Sequence, residues 1–223
     1  MIRLTHFCVV VLLAAVGVMA QQPKSSPTVS DDEFHQVLLA VSNEDWDTAV
    51  ELSSKYLKQM KAEDERLPKL RYIYIYSAAG KVSEGRMDYD LFGASVKEFV
   101  GKNVVLPFRP IALECRTGMN FICPTNEAKD RLMVAASNKA GTRILAFEYT
   151  QLKEAFDFAN HEDEPASIAG KIEAIAPNPN KSRLLIMRFF ISEATLTLKE
   201  GAPKKQIAAA NTKTGCVAHK RDW

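Results

Sequence analysis

Histidine and tryptophan are scarce in this chain, at four and two of 223 residues, and neither sign of charge is in clear surplus, with 29 Lys and Arg against 27 Asp and Glu. A polyanionic partner needs a basic stripe, and a near-neutral chain offers no overall field to attract one. The sequence has no phosphate-cradling glycine loop, no G-x-S-x-G and no H-E-x-x-H, the patterns that would announce nucleotide chemistry, an elbow nucleophile or a zinc peptidase. His35, His161 and His219 fall on a helix, in an acidic loop and in a tail, and none stands beside a candidate nucleophile. The run His161-Glu162-Asp163-Glu164 holds metal-ligating residue types, but four neighbours on one loop cannot all converge on one ion, so it reads as a solvated charged turn. These absences point to a non-enzymatic protein with no cofactor and no metal, with an unrecognised hydrolase as the remaining enzymatic alternative.

Long apolar runs are confined to the first twenty residues. Arg3, an apolar stretch from Phe7 and the small residue Ala20 before Gln21 make a secretory signal peptide cleaved between Ala20 and Gln21. Its loss removes one arginine and no acid, leaving 28 basic against 27 acidic residues. The expected location is therefore secreted or periplasmic, with no stable membrane insertion after cleavage.

Four cysteines are few, but two are informatively spaced. Cys115 and Cys123 flank Gly118-Met119-Asn120, and a hairpin about that turn sets them opposite each other on antiparallel strands. Directly opposed residues lie about 4.5 to 5.5 Å apart at Cα, within disulfide reach. A metal site would need more converging ligands, a redox pair usually reads C-x-x-C, and two free thiols are the remaining alternative. In an oxidising compartment the staple is preferred. Cys216 is left over in the tail.

The rest of the chain divides by pattern. Residues 21–30 are a polar, proline-bearing lead. Ser30 and Glu33 fit a capping box, followed by Phe34, Val37, Leu38 and Val41 at helical spacing. A second helix begins at Trp46 and carries Ala49, Val50, Leu57 and Met60. A third starts at Pro68 with Leu70, Ile73, Ser77 and Ala78 on one face, although Arg71–Tyr76 alone would suit a strand. A fourth, from Asp88 to about Val100, places Tyr89, Phe92, Val96 and Phe99 inside. The segment "NEDWDTAVELSSKYLK", with Trp46 and Ala49 three apart, resembles tetratricopeptide-like repeats, which implies helical hairpins that present a groove to a peptide or protein. The spacing to the next such point, Tyr89 and Phe92, is longer than that family uses.

From residue 101 the pattern changes to short β-prone runs, interrupted by a helical stripe of Leu152, Ala155, Phe156 and Ala159. Strands, one helix, then two strands, with "VGKNVVL" and "AGKIEAI" opening the first and fourth, resembles the oligonucleotide/oligosaccharide-binding (OB) fold. That resemblance implies a five-stranded barrel. The expected architecture is α+β: helical hairpins over 31–100, packed on an OB-like barrel with one helix over 101–200, and a mobile tail over 201–223. The last strand is apolar on both sides, through Leu185, Met187, Phe189 and Ile191 and through Leu184, Ile186 and Phe190, so one face should line the barrel and the other meet the helices.

Function follows from surfaces. The expectation is a secreted, non-enzymatic binding or scaffolding protein whose partner is a protein or peptide. The candidate contacts are Tyr72, Tyr74 and Tyr76 on the helices, and Phe121, Arg143 and Tyr149 on the barrel. Aromatic residues with neighbouring arginines also suit single-stranded nucleic acid or an oligosaccharide, although neutral charge and export count against nucleic acid.

Overall fold

The computed structural model describes residues 29–115 and 118–201. The signal peptide with its Ala20/Gln21 cleavage point, most of the lead, and the tail with Cys216 lie outside the described residues. Among the described residues no helix is long and apolar enough to cross a membrane.

Four helices form as their local signals dictate. Helix α1 (Asp31–Ser42) opens on the capping box, with the Ser30 hydroxyl accepting from the Glu33 amide and the Glu33 carboxylate accepting from the Ser30 amide. Helix α2 (Trp46–Gln59) is capped by Asp45, and α3 (Leu67–Ser83) carries Pro68 in its first turn, where a missing N–H costs nothing. Helix α4 (Tyr89–Val96) is capped by Asp88 and runs into a 3-10 turn at Lys97–Phe99. The strand-prone run Arg71–Tyr76 is helical because α3 is buried almost all round. Tyr72, Ile73, Ile75, Tyr76, Ser77, Ala78, Ala79 and Gly80 are all inaccessible, so the helix shows no polar stripe.

The second half is a mixed sheet. Its strands are β1 (Asn103–Val105), β2 (Arg109–Pro110), β3 (Cys123–Pro124), β4 (Arg131–Ser137), β5 (Ile144–Leu152), β6 (Pro165–Pro177) and β7 (Leu185–Leu198). The order is β1-β6-β7-β5-β4-β3, with β2 also on β6. The β5–β7 pair is parallel, and every other strand pair is antiparallel. The expected barrel is corrected here. A single isolated bridge, Ile111 with Ile122, spans the two edges, and the sheet is not closed. One face of the sheet is occupied by α3, which contacts β1, β5 and β7.

The helix expected over 152–159 does not form. Leu152 is drawn into β5, pairs with Ala194 and is buried, while Phe156 and Phe158 pack edge to face at 5.1 Å. Asn160 Nδ2 donates to Asp157 Oδ2, a local contact that competes with helical bonding. Ala155 and Ala159, half of the expected apolar stripe, are exposed. Tertiary burial of Leu152 and Phe158 outweighs a weak helical pattern.

Helices and sheet share one hydrophobic cluster that runs from Phe34 and Trp46 through Tyr72 and Phe92 to Phe189 and Ile191. Gly80 marks a close approach within it. A Cβ there would lie 2.4 Å from the Trp46 ring, so the α2–α3 contact depends on its absence. The two halves are one packed body, and the helices cover the Met187, Phe189 and Ile191 face of β7. The opposite face, at Arg188 and Phe190, remains partly open.

Candidate binding face and the buried triad

Tyr72 and Tyr76 do not line a groove. Both are inaccessible between α3 and the sheet, stacked at 5.6 Å and 18°. The Tyr76 hydroxyl donates to the Ser137 carbonyl at 2.6 Å, and that of Tyr72 donates to Glu148 Oε1 at 2.5 Å. Tyr74 is half-buried and packs on Phe99 at 5.4 Å. Tyr72 and Tyr76, which read as contacts for a partner, bond the helix to the sheet instead.

Around Tyr72 lies a buried charge cluster that sequence reasoning missed. Arg109 (β2) and Glu148 (β5) form a salt bridge at 2% and 0% side-chain exposure, and Arg109 Nη2 also donates to the Tyr72 hydroxyl at 2.7 Å. Burial pushes the Tyr72 phenol well above its ordinary pKa. Burial alone would lower the Arg109 guanidinium, but the Glu148 charge reverses this and the net direction is up. The one signal in sequence is a glutamate at position 148 on the inward side of an otherwise apolar alternation. Its partner Arg109 lies 39 residues away.

The sheet face turned away from the helices carries the other candidates. Alternation along β5 puts Glu148, Thr150 and Leu152 inward and Phe147, Tyr149 and Gln151 outward. Register then builds rows across four strands. Met133, Tyr149, Phe190 and Ala174 make one row, and Ala135, Phe147, Arg188 and Ala176 the next. Tyr149 and Phe190 stack at 5.3 Å and 17°, with Phe147 at 6.4 Å from Tyr149, and all three are half-buried. Phe121, two residues before Cys123, shares this side by the same alternation, because Cys123 pairs with Met133.

Arg143 belongs elsewhere. It closes the β4–β5 connection, where its amide donates to Asn138 Oδ1. Six residues of strand, about 20 Å, separate it from Tyr149. The arginine that shares a depression with Tyr149 and Phe190 is Arg131, which the sequence reading did not select.

Arg131 is held by a polar chain. Asn126 Nδ2 donates to Asp130 Oδ1 at 2.6 Å, Gln151 Nε2 to Asp130 Oδ2 at 3.1 Å, and Arg131 Nε to Gln151 Oε1 at 3.1 Å. The bonds from Asn126 and Gln151 hold the Asp130 carboxyl below its ordinary value. A depression of about 270 Å³ is lined by Arg131, Gln151, Tyr149, Phe190, Glu173 and Thr125. Aromatic surface, one cation and one anion are therefore presented together on a rigid sheet.

Two smaller expectations meet the structure directly. Cys115 and Cys123 are disulfide-bonded with Cα atoms 5.1 Å apart, which is compatible with an oxidising compartment. They do not close a regular hairpin, because Asn120 adopts φ 65° and its side chain locks onto Ser137, while Cys123 pairs with β4. The His161–Glu164 turn is a local contact, with His161 Nδ1 3.1 Å from Glu164 Oε2. Comparison with protein-family models, with curated proteins and with solved structures finds no match for this chain.

Proposed function

We propose that this is an exported, non-enzymatic binding protein that takes its ligand on the outward sheet face at Tyr149 and Phe190. The observation that carries the reading is the stacked, half-exposed aromatic pair on a face the helices leave uncovered, beside a positioned Arg131. Stacked rings on rigid strands present contact area at little conformational cost. The strongest electrostatic perturbation among the described residues supports a non-catalytic role. It falls on Tyr72 and Arg109, which are sealed from solvent and bonded to Glu148, whereas catalytic groups with shifted pKa values sit in clefts.

The strand order supports an OB-related reading of the sheet. Taken without the two-residue β3, the path β1-β6-β7-β5-β4 with one central parallel pair is the order an OB sheet follows, here opened and lined by α3. The helices would then act as a cap rather than as a tetratricopeptide-like groove, since Tyr72 and Tyr76, two of the three tyrosines expected on a groove, are buried. The burial of those tyrosines leaves the sheet face as the site for a protein or peptide partner.

The test is a titration of the mature protein with three probe classes, namely random peptides, neutral hexasaccharides and a dT12 oligonucleotide. The readout is the ring resonances of Tyr149 and Phe190. At least one class should shift both rings, and Tyr149→Ala should abolish the response. Binding that moves other residues and leaves these rings unmoved, or no binding by any class, would overturn the reading. A steep loss of affinity with salt would move the assignment to the oligonucleotide.

A further inference from the structure

We infer that the ligand at this face is a peptide of defined polarity: an acidic side chain on Arg131, an apolar ring against the Tyr149–Phe190 stack, and a basic side chain on Glu173. This rests on the preceding assignment of the face and adds the chemistry of the partner.

Charge complementarity is the basis. Arg131 stands on β4 and Glu173 on β6, and both line the same depression. The terminal guanidinium nitrogens of Arg131, the Glu173 carboxylate and the Tyr149 hydroxyl make no hydrogen bond to any described residue. Arg131 is nonetheless fixed through Nε by Gln151, which is itself fixed by Asp130 and, through it, Asn126. A cation held in place with its outer donors uncommitted is prepared for a carboxylate, which guanidinium binds in a two-pronged fashion. The opposite charge across the stack asks for a cation. A polyanion would meet Glu173 as a repulsive element. A neutral polyol would leave both charges uncompensated.

The geometry sets the spacing. From β4 to β6 there are three strand steps, through β5 and β7, or about 14 Å at about 4.8 Å per step. An extended chain covers this in about four residues. The peptide therefore crosses the strands with its acidic and basic residues about four positions apart and a proline or aromatic residue between them. Arg188 lies in the row on the other side of the stack, beside Phe147 and Ala176, and lines a separate, smaller depression with Asn178 and Pro179 rather than this one.

The experiment is phage display of a random heptapeptide library on the mature protein, with Tyr149→Ala as the subtraction bait and a thermal melt to verify that each variant is folded. The expected enrichment is acid, apolar ring, base at about that spacing. Arg131→Glu or Glu173→Arg alone should weaken an enriched peptide by about threefold to tenfold. The double reversal should select the charge-inverted motif, which a merely structural role for either residue would not produce. Tyr149-dependent enrichment without charge polarity would overturn this inference and leave the proposed face intact. No Tyr149-dependent enrichment, together with ring shifts by a saccharide or by dT12, would overturn it in favour of those ligands. No response from any probe would overturn both.

Discussion

Removing the Glu148 carboxylate should destabilise the protein more than most single changes at its surface. Glu148 is inaccessible and accepts from both Arg109 and Tyr72, so Glu148→Ala leaves a buried guanidinium and a buried hydroxyl without their shared acceptor. Breaking a buried pair by deleting one partner costs about 3–5 kcal/mol. For a protein of this size that corresponds to a fall in Tm of about 6–20 °C. Urea denaturation followed by circular dichroism measures it, and an unchanged m-value would show that compactness is preserved. The control is the triple replacement Tyr72→Phe, Arg109→Met and Glu148→Leu. It removes all three polar groups together and should come within about 1 kcal/mol of wild type or exceed it, because desolvation offsets most of what the ion pair contributes. A cost below about 1 kcal/mol for Glu148→Ala would refute the reasoning, since that is the scale of an exposed pair. A triple variant as damaged as the single would show that packing, not the stranded charge, sets the loss.

Three other outcomes follow from the same structure. Gly80→Ala should destabilise by about 1–3 kcal/mol in urea titration, because its methyl would overlap the Trp46 ring, whereas Ala at an ordinary helical glycine helps. The Asp130 carboxyl should titrate below the ordinary 3.8, read from its side-chain carbon by NMR, and Gln151→Ala should move it back up. Because its folded value is the lower one, the stability it contributes is present above the unfolded value and is lost as pH falls through the folded one. Breaking the Cys115–Cys123 bond with a reductant should cost about 2 kcal/mol for so short a loop, with hydrogen exchange rising in residues 118–123. Free thiols at both positions in unreduced protein would refute the staple.

The helices were legible because their signals are local. A capping box at Ser30 and Pro68 in a first turn act within four residues of where they stand. The wrongly expected helix at 152–159 shows the limit. Its stripe of Leu152 and Phe156 was genuine, but Leu152 is worth more against Ala194 and the core than in an isolated turn. The barrel failed for a similar reason, since closure depends on what occupies the inner face. That occupant is α3, for which the sequence showed one apolar face and not its place against the sheet.

The same distinction separates the candidate residues that the sequence picked out from those that it did not. Tyr149 could be chosen because an aromatic on the outward phase of a strand is readable from alternation. Arg131 and Phe190 could not, since their place beside it is set by register across β4, β5 and β7, and the last of these pairings is parallel and joins segments about forty residues apart. Tyr72 and Tyr76 of α3 were chosen for the right chemistry and the wrong side. An aromatic with a hydroxyl suits a wet interface and a satisfied core equally. What decides is whether a buried acceptor faces it, and Glu148 and the Ser137 carbonyl do. A buried acid on a strand and a tyrosine on a helix therefore form one polar lock that fixes α3 on the inner face of the sheet. By fixing α3 there, the lock leaves the outer face, with Tyr149, Phe190 and Arg131, uncovered by the helices.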